Sequence, residues 1–409
     1  MRIPYGPVPN ESAVMSVPRV YLDHAATTPL ADVARAAMVP HLGLVGNASS
    51  LHASGRAARR VLEEAREQLA AALGAHPTEV VLTSGGTEAD NLAVHGSWIA
   101  RRVAGPGEPH GRTRVVLGSI EHHALHDLVP ALVRDGAQVA RLPVRADGIV
   151  DPSVLRRSLE GPAGRGTAVA SLMWVNNETG AVQPVDALAE AARAAGAWSH
   201  SDAVQALGHV PFAFGASGLD MATVTAHKVG GPVGIGALLV RREVSPAPIV
   251  FGGGQERGIR SGTHAPVLAA GFAAAAAEAV AELADRAGRW ERLRERLLAG
   301  LAGLDDVRPH LPARSSPAIV NVAFPGCEAD DLLLLLDASG IDASVGSACT
   351  AGVSRTSHVL LAAGLPEAEA RATLRFSFGS ATGPDDVDAL LAALPEALRR
   401  ARAARGATF

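Results

Sequence analysis

The sequence predicts an α/β protein with a mostly parallel sheet flanked by helices, followed by a smaller α+β C-terminal domain. Between about residues 80 and 241, short apolar, β-branched segments alternate with helix-like ones, which is typical of a parallel sheet with crossover helices. After about residue 284 the alternation stops. The 409 residues are enough for two domains with substantial cores. We therefore expect an N-terminal segment (1–31) that packs with the small domain, a large domain (32–283) and a small domain (284–409).

The elements of the large domain follow from apolar runs bounded by glycine or polar turn residues. A short strand at Tyr21 runs into a polar turn, and an amphipathic helix over 54–73 ends at Gly74. The run from Met221 to Ala226 and the segment 235–241 predict two further strands, antiparallel because their connection is short. Between the helix over 54–73 and these two strands, the pattern predicts five strands and three helices. The strands lie at 80–83, 114–119, 138–142, 168–175 and 198–201, and the helices at 87–98, 124–135 and 185–195.

The small domain is expected to combine long charged helices with isolated strands. Its predicted helices lie at 285–304, 330–339 and 387–404, and its predicted strands at 319–324, 341–344 and 374–377.

The composition argues against several classes of protein. A formal net charge of −4 does not provide the basic surface that nucleic-acid binding requires. Residues 1–20 contain four prolines and no apolar core segment, so we do not expect a signal peptide. The most apolar helix candidate, 265–283, is interrupted by Pro266 and Glu278, and no membrane-spanning segment is expected. Two cysteines cannot form a disulfide framework, which favours a reducing, cytoplasmic location.

Lys228 is the only lysine among 37 Lys and Arg residues. A lysine amine can lose its proton and form a Schiff base, whereas a guanidinium stays protonated and is a poor nucleophile. Lys228 follows a predicted strand and precedes a Gly- and Pro-rich turn, which is where active-site residues tend to lie. An exposed, leftover lysine fits this position less well, so we predict a catalytic role.

The segment 84–90 joins a predicted strand to a helix and contains two glycines and a threonine. Backbone N–H groups of such a turn, at a helix N-terminus, suit a phosphate. An ordinary turn capped by Thr87 explains the pattern equally well. The glycine-rich runs at 230–236 and 252–258 are not followed by the helix that a dinucleotide fingerprint requires.

Three more polar clusters follow predicted strands. His122 and His126 stand four residues apart, but no ligand set elsewhere supports a metal, and a histidine lying over a flat cofactor fits better. Asn177 belongs to a pair of amides that leaves a strand, and Asp202 ends another strand 26 residues before Lys228. A Schiff-base lysine, a buried aspartate, a phosphate turn and a stacking histidine together indicate pyridoxal phosphate, whose pyridine nitrogen pairs with an acid.

The same residues carry a family resemblance. Tyr-Leu-Asp and Ala-Thr-Thr-Pro within 21–29, Ser-Gly-Gly-Thr-Glu at 84–88, Glu-His-His at 121–123, Val-Asn-Asn-Glu-Thr-Gly at 175–180, Asp-Ala-Val-Gln at 202–205, Ala-His-Lys at 226–228, the glycine-rich motif at 252–263, Gly-Ser-Ala-Cys-Thr at 346–350 and Leu-Arg-Phe-Ser-Phe-Gly at 374–379 resemble the cysteine desulfurases. These are class V aminotransferase-like enzymes of pyridoxal-phosphate fold type I. The chain resembles the branch, similar to NifS and IscS, that has a long, mobile cysteine loop, here about 344–356.

The resemblance implies a role for each matching residue. Lys228 would hold the cofactor, His122 would stack on its ring and shuttle protons, Asp202 would meet the pyridine nitrogen and Gln205 the ring hydroxyl. Asn177 would contact both cofactor and substrate, and Arg375 would bind the substrate carboxylate. The phosphate would be held by Gly86, Thr87, Thr225 and His227, and by Thr263 from the second subunit of a homodimer.

The two cysteines are expected to differ. Cys327 has the sequence context of a buried, inert thiol. Cys349 lies among Gly, Ser, Ala and Thr residues, which favour an exposed and flexible loop. A thiol that takes sulfur from a substrate and delivers it elsewhere needs such mobility.

The resemblance implies L-cysteine as substrate and L-alanine and a persulfide on Cys349 as products, with iron–sulfur scaffold proteins or tRNA-thiolating enzymes as sulfur acceptors. A selenocysteine lyase, another class V aminotransferase and an inactive sulfur-transfer scaffold are the alternatives, although a scaffold would have no use for all four key residues. The sequence departs from the usual family pattern at Ala48, Gly230 and Val233, none of which has an assigned role.

Overall fold

The computed structural model describes residues 19–104, 110–346 and 356–406, and confirms the predicted fold class. The strands, numbered along the chain, are β1 (Val20–Tyr21), β2 (Val80–Thr83), β3 (Arg114–Gly118), β4 (Gln138–Leu142), β5 (Thr167–Ser171), β6 (Trp198–Asp202), β7 (Met221–Thr225), β8 (Gly236–Val240), β9 (Arg308–His310), β10 (Ile319–Ala323), β11 (Ile341–Asp342) and β12 (Thr373–Ser377).

The α-helices are numbered in the same way. They are α1 (Asp32–Met38), α2 (Ala53–Leu73), α3 (Gly86–Arg101), α4 (His123–His126), α5 (Val129–Arg134), α6 (Pro152–Leu159), α7 (Gly161–Arg165), α8 (Val185–Ala195), α9 (Phe214–Ser217), α10 (Pro266–Ala281), α11 (Leu283–Leu301), α12 (Ala329–Ala338), α13 (His358–Ala362), α14 (Glu367–Ala370) and α15 (Pro384–Gly406). Short 3₁₀ turns cover Val39–His41, Pro77–Glu79 and Ala226–Lys228.

A seven-stranded sheet, in the order β2-β8-β7-β6-β5-β3-β4, forms the centre of the larger part of the described chain. Neighbouring strands from β7 to β4 are parallel, and β8 is antiparallel to both β2 and β7, as its short connection predicted. Because only β8 is reversed, the carboxyl ends of the other strands meet at one edge of the sheet. Ligands bind at this edge in proteins of this architecture.

Helices cover both faces of this sheet, which explains why its strands are apolar on both sides. On one face, Leu69 of α2, Leu188 of α8 and Phe272 of α10 pack in one buried cluster with side chains of the strands. On the other face, Leu92 and Trp98 of α3 belong to a second cluster. The sheet is therefore packed between the two clusters.

The C-terminal part is built on an antiparallel sheet in the order β12-β10-β9. Its core contains Trp290 of α11, Phe376 of β12 and Leu394 of α15. Leu22 belongs to the same core, and β1 pairs in parallel with β11. The start of the described chain therefore packs with its C-terminal part, whereas the exact domain boundaries stay predictions.

Several predicted elements needed correction. The helix expected over 124–135 is two helices, because Pro130 has no N–H to donate to the carbonyl of His126. The strand expected over 168–175 ends at Ser171, and α3 begins at Gly86 without a side-chain cap, so Thr87 is not its N-cap. Sequence patterns did not indicate α1, α6, α7, α9, α13, α14 or β9.

Within the described residues, no single helix is long and apolar enough to cross a membrane. The consecutive helices α10 and α11 reach the length and apolar composition of a membrane-spanning segment only when they are taken together, and they are bent by 68° relative to each other.

Candidate active site

A cavity of about 370 Å³ opens at the carboxyl edge of the large sheet. The segments that follow β2, β3, β5, β6 and β7 contribute to its wall, as does Arg375 of β12. Both parts of the described chain therefore build this one cavity.

Lys228 reaches the cavity because β7 ends at Thr225 and the 3₁₀ turn Ala226–Lys228 directs the chain across the sheet edge. Its Nζ donates hydrogen bonds of 2.7 Å each to the carbonyl oxygens of Ala25 and Ala26. Burial and the nearby Arg375 guanidinium lower the pKa of Lys228 to about 8. Its amine is thus closer to its neutral, nucleophilic form than an exposed lysine would be.

Asp202 is the last residue of β6 and is buried, and its Oδ1 accepts a 2.9 Å hydrogen bond from the amide of Val204. Burial raises its pKa, and the hydrogen bond from the Val204 amide and the positive charge of Lys228 oppose that rise in part. Asp90 and Glu121 are further buried acids beside it. Burial raises the pKa of both, to about 8 for Glu121. Of the three acids, Asp202 is the one whose raised pKa is opposed by the positive charge of Lys228.

His122 precedes α4 and lines the cavity, where its side chain is exposed. Its Nδ1 accepts a hydrogen bond from the amide of Ala124 at 3.2 Å, so the neutral ring carries its proton on Nε2. Burial lowers the pKa of His122, which keeps the ring neutral near neutral pH. A neutral ring with one N–H can lie over a flat group and exchange a proton with it.

Gly86 and Thr87 form the first turn of α3 at one end of the cavity, where the N–H groups of a helix are free to bind an anion. A Cβ on Gly86 would lie 3.0 Å from Cγ2 of Val204, so a larger residue here would require the Val204 side chain to shift. Thr225 and His227 lie at the same end, and Thr263 is exposed and does not line the cavity of its own chain.

At the other end, Asn177 and Arg375 line the cavity. Asn176 is buried in the turn, where its Oδ1 accepts hydrogen bonds from the amides of Glu178 and Thr179. That turn leaves Asn177 facing the cavity. A guanidinium there offers the geometry that a carboxylate prefers.

Buried polar atoms without hydrogen-bond partners indicate whether pyridoxal phosphate fits the cavity. Within the described chain, Gln205 Oε1 and Asp90 Oδ1 are buried and lack hydrogen-bond partners. Gln205 lines the cavity and its Nε2 donates to Ala25 O at 2.8 Å, so its Oε1 is left for a hydroxyl donor. The amine, the buried acid, the anion-binding turn and this open acceptor match the groups of the cofactor. The residues therefore fit it.

Asp90, His122 and Asp202 also have ligand atoms within 4.8 Å of one another, a spacing that a metal ion could use. They lie at the centre of the same cavity. His126 is outside this group, so the pair at 122 and 126 is not its basis. Two of these three residues already have a predicted role in binding pyridoxal phosphate, His122 as the stacking histidine and Asp202 as the buried acid.

The structure thus brings together most residues that the sequence predicted for the site. These are Gly86, Thr87, His122, Asn177, Asp202, Gln205, Thr225, His227, Lys228 and Arg375. Cys349 lies outside the described residues, and Cys327 is buried, as expected. Sequence reasoning missed Asp23, Asp90, Glu178 and His358; of these, only Asp23, Asp90 and Glu178 belong to motifs that could have indicated them.

Gly230 shows why one departure from the usual pattern is tolerated. Its φ of +84° favours glycine, and its amide and carbonyl bond to Thr28 and Ala31. Val233 is exposed and Ala48 is buried, and neither lines the cavity.

Comparison with known proteins agrees with this geometry. The aminotransferase class-V family matches residues 20–390. A Mycobacterium tuberculosis (strain ATCC 25618 / H37Rv) protein named IscS-like cysteine desulfurase is 50% identical over 390 residues, 94% of this chain and 97% of that protein.

Solved structures extend the likeness to the fold. A NifS-like protein is 33% identical, with a TM-score of 0.83 over 93% of this chain and 100% of that chain. SspA in complex with cysteine is 30% identical, with a TM-score of 0.74 over 88% and 98%. On the motifs, the fold, the cavity and these relatives together, the chain belongs to the cysteine desulfurases of the aminotransferase class-V family.

Proposed function

We propose that this chain takes sulfur from L-cysteine, releases L-alanine and holds the sulfur as a persulfide on Cys349. The observation that carries the proposal is that the only lysine and a buried arginine share one cavity with Asp202 and His122. An amino-acid substrate presents a carboxylate, which Arg375 can bind, and a Cα proton, which the Lys228 amine can exchange.

The chain's own residues supply binding and proton transfer. Bound pyridoxal phosphate provides an electron sink next to the substrate's Cα. The Lys228 amine, whose pKa burial lowers to about 8, can hold the cofactor and exchange a proton at the substrate Cα. His122 Nε2 is the second group that can exchange a proton inside the cavity. Arg375 and Asn177 fix the substrate carboxylate, which decides which bond faces these groups.

Sulfur transfer is assigned to Cys349 by family resemblance. Its thiolate would attack the substrate sulfur, so that an S–S bond forms as the substrate's Cβ–S bond breaks. The electron pair of the broken bond stays with the carbon, which gains a proton and becomes the methyl group of alanine. One thiol proton goes to that carbon and the other remains with the persulfide, so atoms and electrons balance.

We further propose that the protein acts as a cytoplasmic homodimer and delivers its sulfur to an iron–sulfur scaffold or a tRNA-thiolating enzyme. The exposure of Thr263, which does not line its own cavity, supports a contribution from a second subunit. The similar protein SspA was solved in complex with cysteine, which supports a cysteine-sized substrate here.

The test is to supply the purified protein with L-cysteine and a thiol reductant, and to quantify alanine and sulfide together. We expect equal amounts of both, in many-fold excess over the protein. A protein that shows the cofactor's visible band but releases neither product would reject the proposed substrate. Release of alanine only from selenocysteine would instead identify a selenocysteine lyase.

Replacing Cys349 by serine separates sulfur transfer from substrate binding. The Cys349→Ser variant should keep the visible band and its change on adding L-cysteine, because the residues that line the cavity are untouched. It should form no persulfide and release at least about a hundredfold less sulfide, as expected for loss of a nucleophile. Cys327→Ser is the matched control and should release sulfide normally; normal release from Cys349→Ser would assign the transfer to another group.

A further inference from the structure

Arg375 is fixed by its backbone on both sides. It pairs with Asn321 of β10, and its amide donates to the carbonyl of Ser344 at 2.7 Å. The Ser344 amide returns a bond of 3.2 Å to the carbonyl of Arg375. With the backbone held, only the side-chain torsions decide the direction of the guanidinium.

Two acceptors restrict those torsions. Arg375 Nη1 donates to the carbonyl of Asn177 at 2.8 Å, and Nη2 donates to Asp23 Oδ1 at 2.6 Å. The third nitrogen, Nε, is buried and finds no acceptor within the described part of the chain. The guanidinium is therefore anchored through Nη1 and Nη2, and the second N–H of each of these nitrogens is left as a donor to a carboxylate in the cavity.

Asp23 is itself held in place. Its backbone forms a bridge with Ser377, on the same strand as Arg375, and the side chain of Ser377 accepts a 2.8 Å bond from the amide of Ala25. The Tyr21 hydroxyl donates to the carbonyls of Asp23 at 3.2 Å and Thr27 at 2.9 Å. The carboxylate of Asp23 is therefore presented by a segment with little freedom to move.

The same segment also contacts the catalytic amine. Lys228 Nζ donates to the carbonyls of Ala25 and Ala26, two and three residues after Asp23. The segment 23–26 therefore contacts both the amine that the proposed function uses for proton exchange and the guanidinium that it uses to bind the substrate carboxylate.

We propose that Asp23 is a positioning residue: its carboxylate orients the Arg375 guanidinium so that the remaining N–H groups bind the α-carboxylate of the substrate. The inference rests on the proposed function, because it takes Arg375 as the carboxylate-binding group. It opposes a second role that the same contact allows, in which Asp23 competes with the substrate for Arg375. The two roles predict effects of opposite sign.

The experiment measures binding of L-alanine and of cysteamine to the holoenzyme, by titrating the visible band of the cofactor. L-alanine has the carboxylate but no thiol to react, and cysteamine has the amine but no carboxylate. Asp23→Asn should weaken L-alanine binding about tenfold, which is the size of one hydrogen bond to a charged group, and leave cysteamine binding unchanged. The KM for L-cysteine should rise by a similar factor, while kcat changes less than about threefold.

Two further variants assign the effect to the Asp23–Arg375 contact. Asp342→Asn is the matched control, because this nearby carboxylate bonds to Arg19 and should not influence L-alanine. In an Arg375→Gln background, Asp23→Asn should weaken L-alanine binding no further, since the group it positions is gone. If Asp23→Asn fails to hold the cofactor, Asp23→Glu, which displaces the carboxylate by one methylene, should show the same selective loss.

Tighter or unchanged L-alanine binding by Asp23→Asn would overturn the proposal, and tighter binding would favour competition. Equal weakening of L-alanine and cysteamine would also overturn it, because it would indicate general damage to the cavity. Failure of the proposed function looks different: the wild-type holoenzyme would bind L-alanine and yet release no sulfide from L-cysteine.

Discussion

The amine of Lys228 shares its cavity with a second cation, the guanidinium of Arg375. Burial first, and then this positive charge, lower the pKa of Lys228 from 10.5 to about 8, and the carboxylates of Asp23 and Asp202 oppose the change. A Schiff base forms from the neutral amine, so the lowered pKa raises the reactive fraction near neutral pH. The choice of one lysine among 36 arginines places this chemistry at a single residue.

The rate at which the cofactor-free protein takes up pyridoxal phosphate should therefore rise with pH to a plateau, with its midpoint near pH 8. Stopped-flow measurement of the visible band would give the profile. Arg375→Gln should move the midpoint to higher pH, because removing a nearby positive charge stabilises the protonated amine and raises the pKa of Lys228. A midpoint near 10.5 in the wild type would contradict the role of burial, and Lys228→Ala should lack the visible band of the lysine–cofactor Schiff base.

At the scale of the elements, a buried ion pair joins the loop between β8 and α10 to helix α2. Glu256 accepts two hydrogen bonds of 2.8 Å from the Arg66 guanidinium of α2, one of 2.6 Å from His264, and one of 3.1 Å from the amide of Leu82. The side chain of Glu256 is only 2% exposed. These contacts fix a loop that ends next to Thr263.

Burial alone would raise the pKa of Glu256, but hydrogen bonds from His264 and Arg66 outweigh it and lower that pKa from 4.5 to about 2. A depressed pKa contributes stability that is complete above pH 4.5 and is lost as the pH falls toward 2. At pH 7, Glu256→Gln should lower the free energy of unfolding by about 3 kcal/mol, because it leaves Arg66 buried without its charge partner. The difference between variant and wild type should shrink between pH 4.5 and 2.

Urea unfolding at several pH values would measure this difference. Glu63→Gln is the matched control, because Glu63 also bonds to Arg66 but is half-exposed. Glu63→Gln should lower the free energy of unfolding by less than about 1 kcal/mol, as is found for exposed ion pairs. If both variants lowered the free energy of unfolding equally, the buried ion pair would stabilise the fold no more than the half-exposed one.

Local patterns predicted the elements better than the breaks between them. The helix at Val185–Ala195 was predicted to the residue, because its apolar period and the glycine after it agree. The strand β9, Arg308–His310, has no β-branched residue and forms only because β10 lies beside it. The failure at Pro130 has a purely local cause that the sequence contained, whereas β9 depends on tertiary pairing.

At the scale of the whole molecule, the cavity is assembled from distant parts of the chain. Motif residues at strand ends, such as Lys228 and Asp202, could be predicted because all parallel strands end at one edge. The contact between Asp23 and Arg375 spans 352 positions in sequence, and no pattern at either end indicated it. The sequence thus predicts which residues act, whereas the structure shows which residues hold the predicted ones in place.

The proposed homodimer makes the last prediction at this scale. The loop between β8 and α10, which carries Thr263, also contains Val250 and Phe251, and the Phe251 side chain is 83% exposed. Aromatic side chains are enriched at protein interfaces, and this one lies in the loop whose Thr263 is expected to reach the second cavity. We therefore expect the wild-type protein to show twice the mass of the chain in light scattering, and Phe251→Asp to show the mass of one chain.

The Phe251→Asp variant should also bind pyridoxal phosphate at least about tenfold more weakly, because the partner's Thr263 would no longer reach the phosphate and one hydrogen bond to a charged group would be lost. Leu334→Asp is the matched control: Leu334 is exposed on α12 and lies outside this loop, so mass and cofactor affinity should not change. A wild-type protein that has the mass of one chain and still binds the cofactor tightly would show that each cavity is complete in itself. Joint loss of mass and affinity in Phe251→Asp alone would instead tie the phosphate end of the cavity to the second subunit.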